Sequence, residues 1–248
     1  MTKKLIVTVV ALFALAGAAF AAPIGLTANA TYYTKYFDKG LVSFEDVAVA
    51  GVTAEAYGFV AGVNTFNTLK DETTGYATVG KTLVPKISAA GLFKRTDLSL
   101  GYKFTSPLAN LTIGGTYKSF NKSISNLASN TEPFALLNGK FFDTQATWDA
   151  RYRADLKNRT NNTEANLRLP FGFKSLKLVP ALGYGFNDLG ADTIAQFKTA
   201  KQYAVVGAGV GYYTKYATVS ADWAQRRDGL LTAGNVINSV SGGLSVKF

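Results

Sequence analysis

Histidine and cysteine, the side chains most used as bases, nucleophiles and transition-metal ligands, are both absent from this 248-residue sequence. Ser–His and Cys–His nucleophile systems are therefore impossible, as are zinc sites built on imidazole or thiolate. Lysine and carboxylate bases remain chemically available, but no spacing in the chain marks one out. Asp71-Glu72, and Asp188 with Asp192, offer oxygen ligands to calcium, although loop carboxylates of this kind are ordinarily just solvated. Gly207-Ala208-Gly209-Val210-Gly211 has glycines two apart, not the GxGxxG spacing of a nucleotide loop, and no helix follows it. Alternate glycines instead keep one face of a strand free of side chains. These observations point to no enzyme activity, no cofactor and no metal.

The charged residues show the informative pattern. Over residues 144–157, Ala146, Trp148, Ala150, Tyr152, Ala154 and Leu156 alternate with Gln145, Thr147, Asp149, Arg151, Arg153 and Asp155. One face is apolar and the other polar, a period of two that belongs to a strand and not to a helix. The alternation recurs at Leu98 to Phe104, Leu111 to Tyr117, Ala165 to Phe171, Leu176 to Phe186, Ala217 to Trp223 and Val240 to Phe248. Its polar face carries Lys103, Lys118, Arg151, Arg153, Arg168 and Lys177, opposed by Asp149, Asp155, Glu164 and Asp222. Lys35, Asp97, Arg226 and Lys247 join the same face. If these strands close on themselves, these residues line the interior, where rings of charge either select ions by sign or, as Asp149, Arg151, Arg153 and Asp155 could, pair across strands and plug it.

Composition names the environment in which such strands close. Lys3 and Lys4, the apolar run Leu5 to Leu15 and Ala19-Phe20-Ala21 form a secretory signal peptide over residues 1–21, which leaves a mature domain of residues 22–248. No later stretch reaches the roughly 18 apolar residues of a membrane helix. Yet 48% of the chain is hydrophobic and 13% aromatic, and a closed barrel is the spanning structure that needs no long apolar run. The net charge of +10 is scattered singly along alternating segments, with no basic cluster beside an aromatic platform, which argues against nucleic acid as a partner.

The expected fold is all-β, a transmembrane antiparallel up-and-down barrel. Short joins near 105–107, 172–174 and 213–215 read as turns at one end. Longer polar joins near 67–95, 121–131, 188–201 and 227–236 read as loops at the other. Even parity requires a weakly patterned strand near Glu132 to Asn138. With strands near 26–36, 47–55 and 57–66 the count is twelve, and a hairpin arm over Tyr76 to Val84 would make it fourteen. Phe104, Phe171, Tyr212 and Phe248 fall toward the turn end of the apolar faces, and Tyr117, Tyr152, Tyr184, Phe186 and Trp223 toward the loop end. Two aromatic girdles of this kind mark the two membrane–water interfaces.

Two resemblances add detail. Ser241, Gly243, Val246 and the terminal Phe248 fit a polar-x-Gly-x-x-apolar-x-aromatic pattern. This resembles the insertion signal read by the outer-membrane barrel-assembly machinery, and implies that partner together with outer-membrane lipid and lipopolysaccharide. Tyr33-Thr34-Lys35-Tyr36 through Lys39-Gly40, Tyr57 to Val63, Thr96 to Tyr102 and Leu111 to Tyr117 are similar to the TorF-like (Gcw_chp) outer-membrane porin family. The family pattern has Arg where Lys39 stands, and the 67–95 segment is longer here. The resemblance implies a channel of the bacterial outer membrane.

The reading that follows is passive diffusion of small hydrophilic solutes, weakly anion-selective, with Arg151 and Arg153 as the side chains that bias the field. The alternative is a structural or adhesive barrel whose outer loops bind partners.

Overall fold

A computed structural model describes residues 24–38, 41–69, 72–79, 82–88, 93–120, 129–141, 144–156, 160–188, 202–228 and 236–248. The signal segment 1–21 lies outside them. All regular structure among the described residues is β. The strands are β1 Gly25–Asp38, β2 Leu41–Ala56, β3 Phe59–Thr68, β4 Glu72–Val79, β5 Thr82–Ser88, β6 Phe93–Thr105, β7 Ala109–Phe120 and β8 Asn130–Lys140. After them come β9 Thr147–Asp155, β10 Thr160–Arg168, β11 Phe171–Phe173, β12 Leu176–Asp188, β13 Gln202–Tyr213, β14 Ala217–Asp228 and β15 Val236–Lys247.

Antiparallel pairing runs β10-β9-β8-β7-β6-β3-β2-β1-β15-β14-β13-β12, and β10 pairs back onto β12, so the sheet closes. β10 and β11 are two pieces of one wall strand, since both pair with β12. Pro170 separates them because it has no N–H for the ladder, while Leu169 N–H still donates to the Pro180 carbonyl at 3.0 Å. The barrel therefore has twelve wall strands. β4 and β5 pair only with each other, so the segment at Tyr76 to Val84 does form hairpin arms but adds nothing to the wall. Twelve strands, not fourteen, close it.

Closure leaves the wall without a sheet edge, and this lets strands with one apolar face cross a membrane without unpaired backbone groups. Leu100, Leu182 and Val240 are 63%, 55% and 51% exposed on the outer surface. That apolar surface is stable against lipid, and in water it would be an association hazard. The aromatics assigned to girdles, from Phe104 to Trp223, are likewise exposed on the outer face.

Tight turns lie at one end. Tyr57-Gly58 has φ of 53° and 86° between β2 and β3. That left-handed pair is the two-residue hairpin turn whose twist matches the strands. It trims the predicted 57–66 strand to start at Phe59. The turns after β6, β11 and β13 fall at 106–108, 174–175 and 214–216, within a residue or two of the expected joins. The strand required by parity is β8, and its pattern is faint for a visible reason. Phe134 and Leu136 face inward beside Thr112 and Gly114, while Pro133, Ala135 and Leu137 face out. Apolar residues on both faces erase the alternation.

Candidate functional site

Cross-strand partners share a face, so register sorts the polar residues. Lys103 pairs with Thr112, Lys118 with Asp97, Arg151 with Glu164 and Arg168 with Thr147. Asp149 pairs with Asn166 and Asn138, Arg153 with Asn162, Asp155 with Thr160, Lys177 with Gly211 and Asp222 with Gly209 and Ser241. These ten residues stand on the face opposite the exposed apolar band. Gly209 makes room for its neighbour: a Cβ there would lie 2.1 Å from the Asp222 carboxylate.

The interior has two unlike halves. Toward the loop end, Asp38 closes β1. Its carboxylate accepts hydrogen bonds from Arg95 Nη1 at 3.0 Å, Lys118 Nζ at 2.8 Å and Arg153 Nη1 at 2.9 Å. Each cation also holds a carboxylate of its own on the wall. Arg95 pairs with Asp97 at 2.8 Å, Lys118 with Glu132 at 3.0 Å and Arg153 with Glu164 at 2.8 Å. Tyr203 donates its hydroxyl to Glu164, and Asn162 bridges Arg153, Asn187 and Tyr203. Arg95, Lys118, Glu132, Asn162, Asn187 and Tyr203 are all buried.

The position of Asp38 decides how far this network reaches. In the strand order, β9 lies six strands from β1 in either direction, so Arg153 projects from the opposite wall. Twelve strands spaced about 4.8 Å apart give a width of about 18 Å, before tilt widens it further. An Asp and an Arg side chain, with bonds of about 1.5 Å, together bridge roughly 13 Å. The end of β1 must therefore lean into the lumen. A register shift between Tyr36 and Phe37 supplies the bend. An apolar cluster of Val47, Val49 and Phe66, with Tyr33 and Tyr36 against it, fills the lumen side at the base of this hairpin. Arg95 lies over the Phe66 ring at 4.1 Å, so the cluster and the ion pairs are one packed layer.

Toward the turn end, the lumen opens into a cavity of about 930 Å³ lined by Asn110, Leu136, Asn138, Asp149, Arg151 and Arg168, among others. Asp149 accepts from Asn166 Nδ2 at 3.0 Å. Arg151 and Arg168 form no ion pair among the described residues. Lys103 is held by Glu55 at 2.5 Å, and Lys177 donates to Gln145 at 2.7 Å.

This geometry corrects one expectation. Arg153 is not a free lining charge paired in function with Arg151: two carboxylates and an amide engage it, while Arg151 faces the open cavity. Alternation also missed Asp38, Glu55 and Glu132, which join the inward face and reduce its positive excess. Asp38 was hidden because it follows the bulge, where period two breaks down. Glu132 was hidden in the weakly patterned strand. Tyr203, Asn162 and Asn187 carry no signal beyond strand register.

No group of three or more metal-ligating side chains occurs among the described residues. Asp71 and Asp192 lie outside them. At the C-terminus, Phe248 is 41% exposed and its N–H donates to the Leu26 carbonyl at 2.9 Å, so the last residue is stitched to the first strand.

No family model and no curated protein matches this chain. Solved structures do. A structure described as KdgM porin is 10% identical with a TM-score of 0.53, covering 90% of this chain and 99% of that one. A structure of NanC porin is 13% identical with a TM-score of 0.52, covering 90% and 100%. At these identities the likeness shows the shared barrel fold.

Proposed function

We propose that this chain is a channel of the bacterial outer membrane for passive diffusion of small hydrophilic solutes, with a weak preference for anions. The observation that carries the reading is the open cavity at the turn end, where Arg151 and Arg168 stand without ion-pair partners among the described residues, beside Asp149, whose carboxylate is held by Asn166. A lumen meant only to be filled would pair its charges there as it does in the other half. Net charge separates the halves. Arg95, Lys118 and Arg153 against Asp38, Asp97, Glu132 and Glu164 leave the packed layer with one excess negative charge. The preference for anions therefore arises in the cavity, where unpaired guanidinium groups face a low-dielectric wall.

Several further features support this placement. The apolar outer band and two aromatic girdles suit a bilayer, and the turns, the start of β1 and the end of β15 at one end suit a periplasmic face. The motifs that resemble those of TorF-like porins lie on β1, the β2–β3 turn, β3, β6 and β7, with Lys39-Gly40 outside the described residues. The terminal Ser241, Gly243, Val246 and Phe248 would be read by the barrel-assembly machinery. Outer-membrane lipid and lipopolysaccharide would surround the band. KdgM porin has been described in complex with disordered oligogalacturonate, an anionic sugar polymer; by analogy, anionic solutes are the class to test first here.

Planar-bilayer recording on refolded protein tests the reading. Unitary current steps, with reversal potentials on the anion side in a potassium chloride gradient, are expected from the wild type or from a variant lacking the Asp38 carboxylate. Silence from both overturns it. A second reading, partner binding by the outer loops, is favoured by the β4–β5 hairpin, which belongs to no wall strand. It predicts loss of cell-surface binding, with unchanged conductance, when residues 72–88 are replaced by a short linker.

A further inference from the structure

Removing Asp38 leaves every other charge of the buried ion-pair layer paired. If it leaves, Arg95 keeps Asp97, Lys118 keeps Glu132 and Arg153 keeps Glu164. The layer passes from one excess negative charge to neutrality, and the departing carboxylate regains water. Ordinarily, breaking a buried pair is strongly unfavourable because it strands the partner charge. Here no partner is stranded. The three contacts still hold the carboxylate in place, because hydrogen bonds between charged groups are the strong ones.

What Asp38 reaches across is also visible. It sits at the end of β1, past Tyr33 where pairing with β15 stops and beyond a bulge that can serve as the bend. Its contacts with β6, β7 and β9 reach a quarter, a third and half of the way round the barrel. Beyond them lies the cavity at the turn end.

We propose that the end of β1 is a releasable latch: Asp38, seated on Arg95, Lys118 and Arg153, closes the loop-end half of the lumen, and its withdrawal opens the path to the cavity. This rests on the channel reading and adds its regulation. The arrangement differs from a permanent plug, whose removal would leave unpaired charges behind. The wall pairs are complete without the latch, so the barrel keeps its fold in either state.

Two kinds of variant test the latch. Asp38→Ala and Asp38→Asn, recorded in planar bilayers, should raise the fraction of time open by about tenfold or more, the least that losing charge-assisted hydrogen bonds of this kind is worth. The chain has no cysteine, so an Asp38→Cys, Arg153→Cys pair can be bridged by a short reducible bifunctional thiol reagent. Current should fall on bridging and return on reduction. Equal open time in wild type and both Asp38 variants, or current indifferent to bridging, overturns the latch.

A second readout needs no current. Thr147→Cys places a thiol in the cavity, beyond the latch from the loop end. A bulky impermeant maleimide applied to intact cells should label it faster in the Asp38→Ala background. Silence from every folded variant in the bilayer would refute the channel reading while leaving this labelling ratio to judge the latch. A ratio of one overturns it.

Discussion

Gly185 lies beneath the ring of Tyr203, so closely that a Cβ at 185 would stand 2.1 Å from Tyr203 Cζ. The two residues face each other across β12 and β13. The bare glycine lets the ring lie flat against the wall, which brings its hydroxyl to Glu164 and Asn162. Gly185→Ala should lift the ring off these partners and destabilise the barrel by about 1–3 kcal/mol, the usual result of overpacking. Gly115→Ala is the matched control, since its nearest contact would be the Glu132 carbonyl at 4.0 Å. Urea unfolding midpoints of the refolded barrels should fall for the first and stay near wild type for the second.

Leu167 and Asn166 are adjacent on β10 and face opposite ways. Leu167 pairs with Leu182, 55% exposed on the outer surface, while Asn166 donates to Asp149 inside. An arginine at Leu167 should cost about 2–4 kcal/mol near the bilayer midplane. The same residue at Asn166 should cost markedly less, because water and Asp149 are within reach. Folding titrations into lipid vesicles separate the two, and equal penalties would mean that the facing is wrong.

Replacing Arg151 and Arg168 together by Gln should move the reversal potential in a salt gradient toward zero or the cation side. Arg153→Gln alone should change it little, since that guanidinium is already matched by Asp38 and Glu164. Screening at physiological salt acts over about 8 Å, so the effect of the pair should shrink as salt is raised. Selectivity that ignores the double substitution would place the controlling field in the outer loops.

Deleting Phe248 removes both the terminal aromatic and the hydrogen bond that ties the chain end to Leu26. Outer-membrane yield should drop, with unfolded protein accumulating in the periplasm. Phe248→Tyr, which keeps the ring, should insert normally. Equal insertion of the truncated and full chains would remove the terminal residue from any role as an assembly signal.

The barrel itself was legible in the sequence because its cause is local. A strand turns each successive side chain to the opposite face, so a chain that crosses lipid as strands must alternate, and the stretch from Trp148 to Asp155 shows it residue by residue. Parity even demanded β8, whose own pattern is erased by Phe134 and Leu136. The inward orientation of Lys103, Arg151 and Arg168 followed from the same rule. The partners of Asp38 did not, because Arg95, Lys118 and Arg153 stand 57, 80 and 115 residues further along the chain. Period two says which face a side chain takes. It does not say which strands lie opposite once the sheet has closed, nor that a bulge after Tyr36 turns a strand end off the wall. Closure and that bend bring one carboxylate to three cations, and they are properties of the whole barrel that no single strand carries.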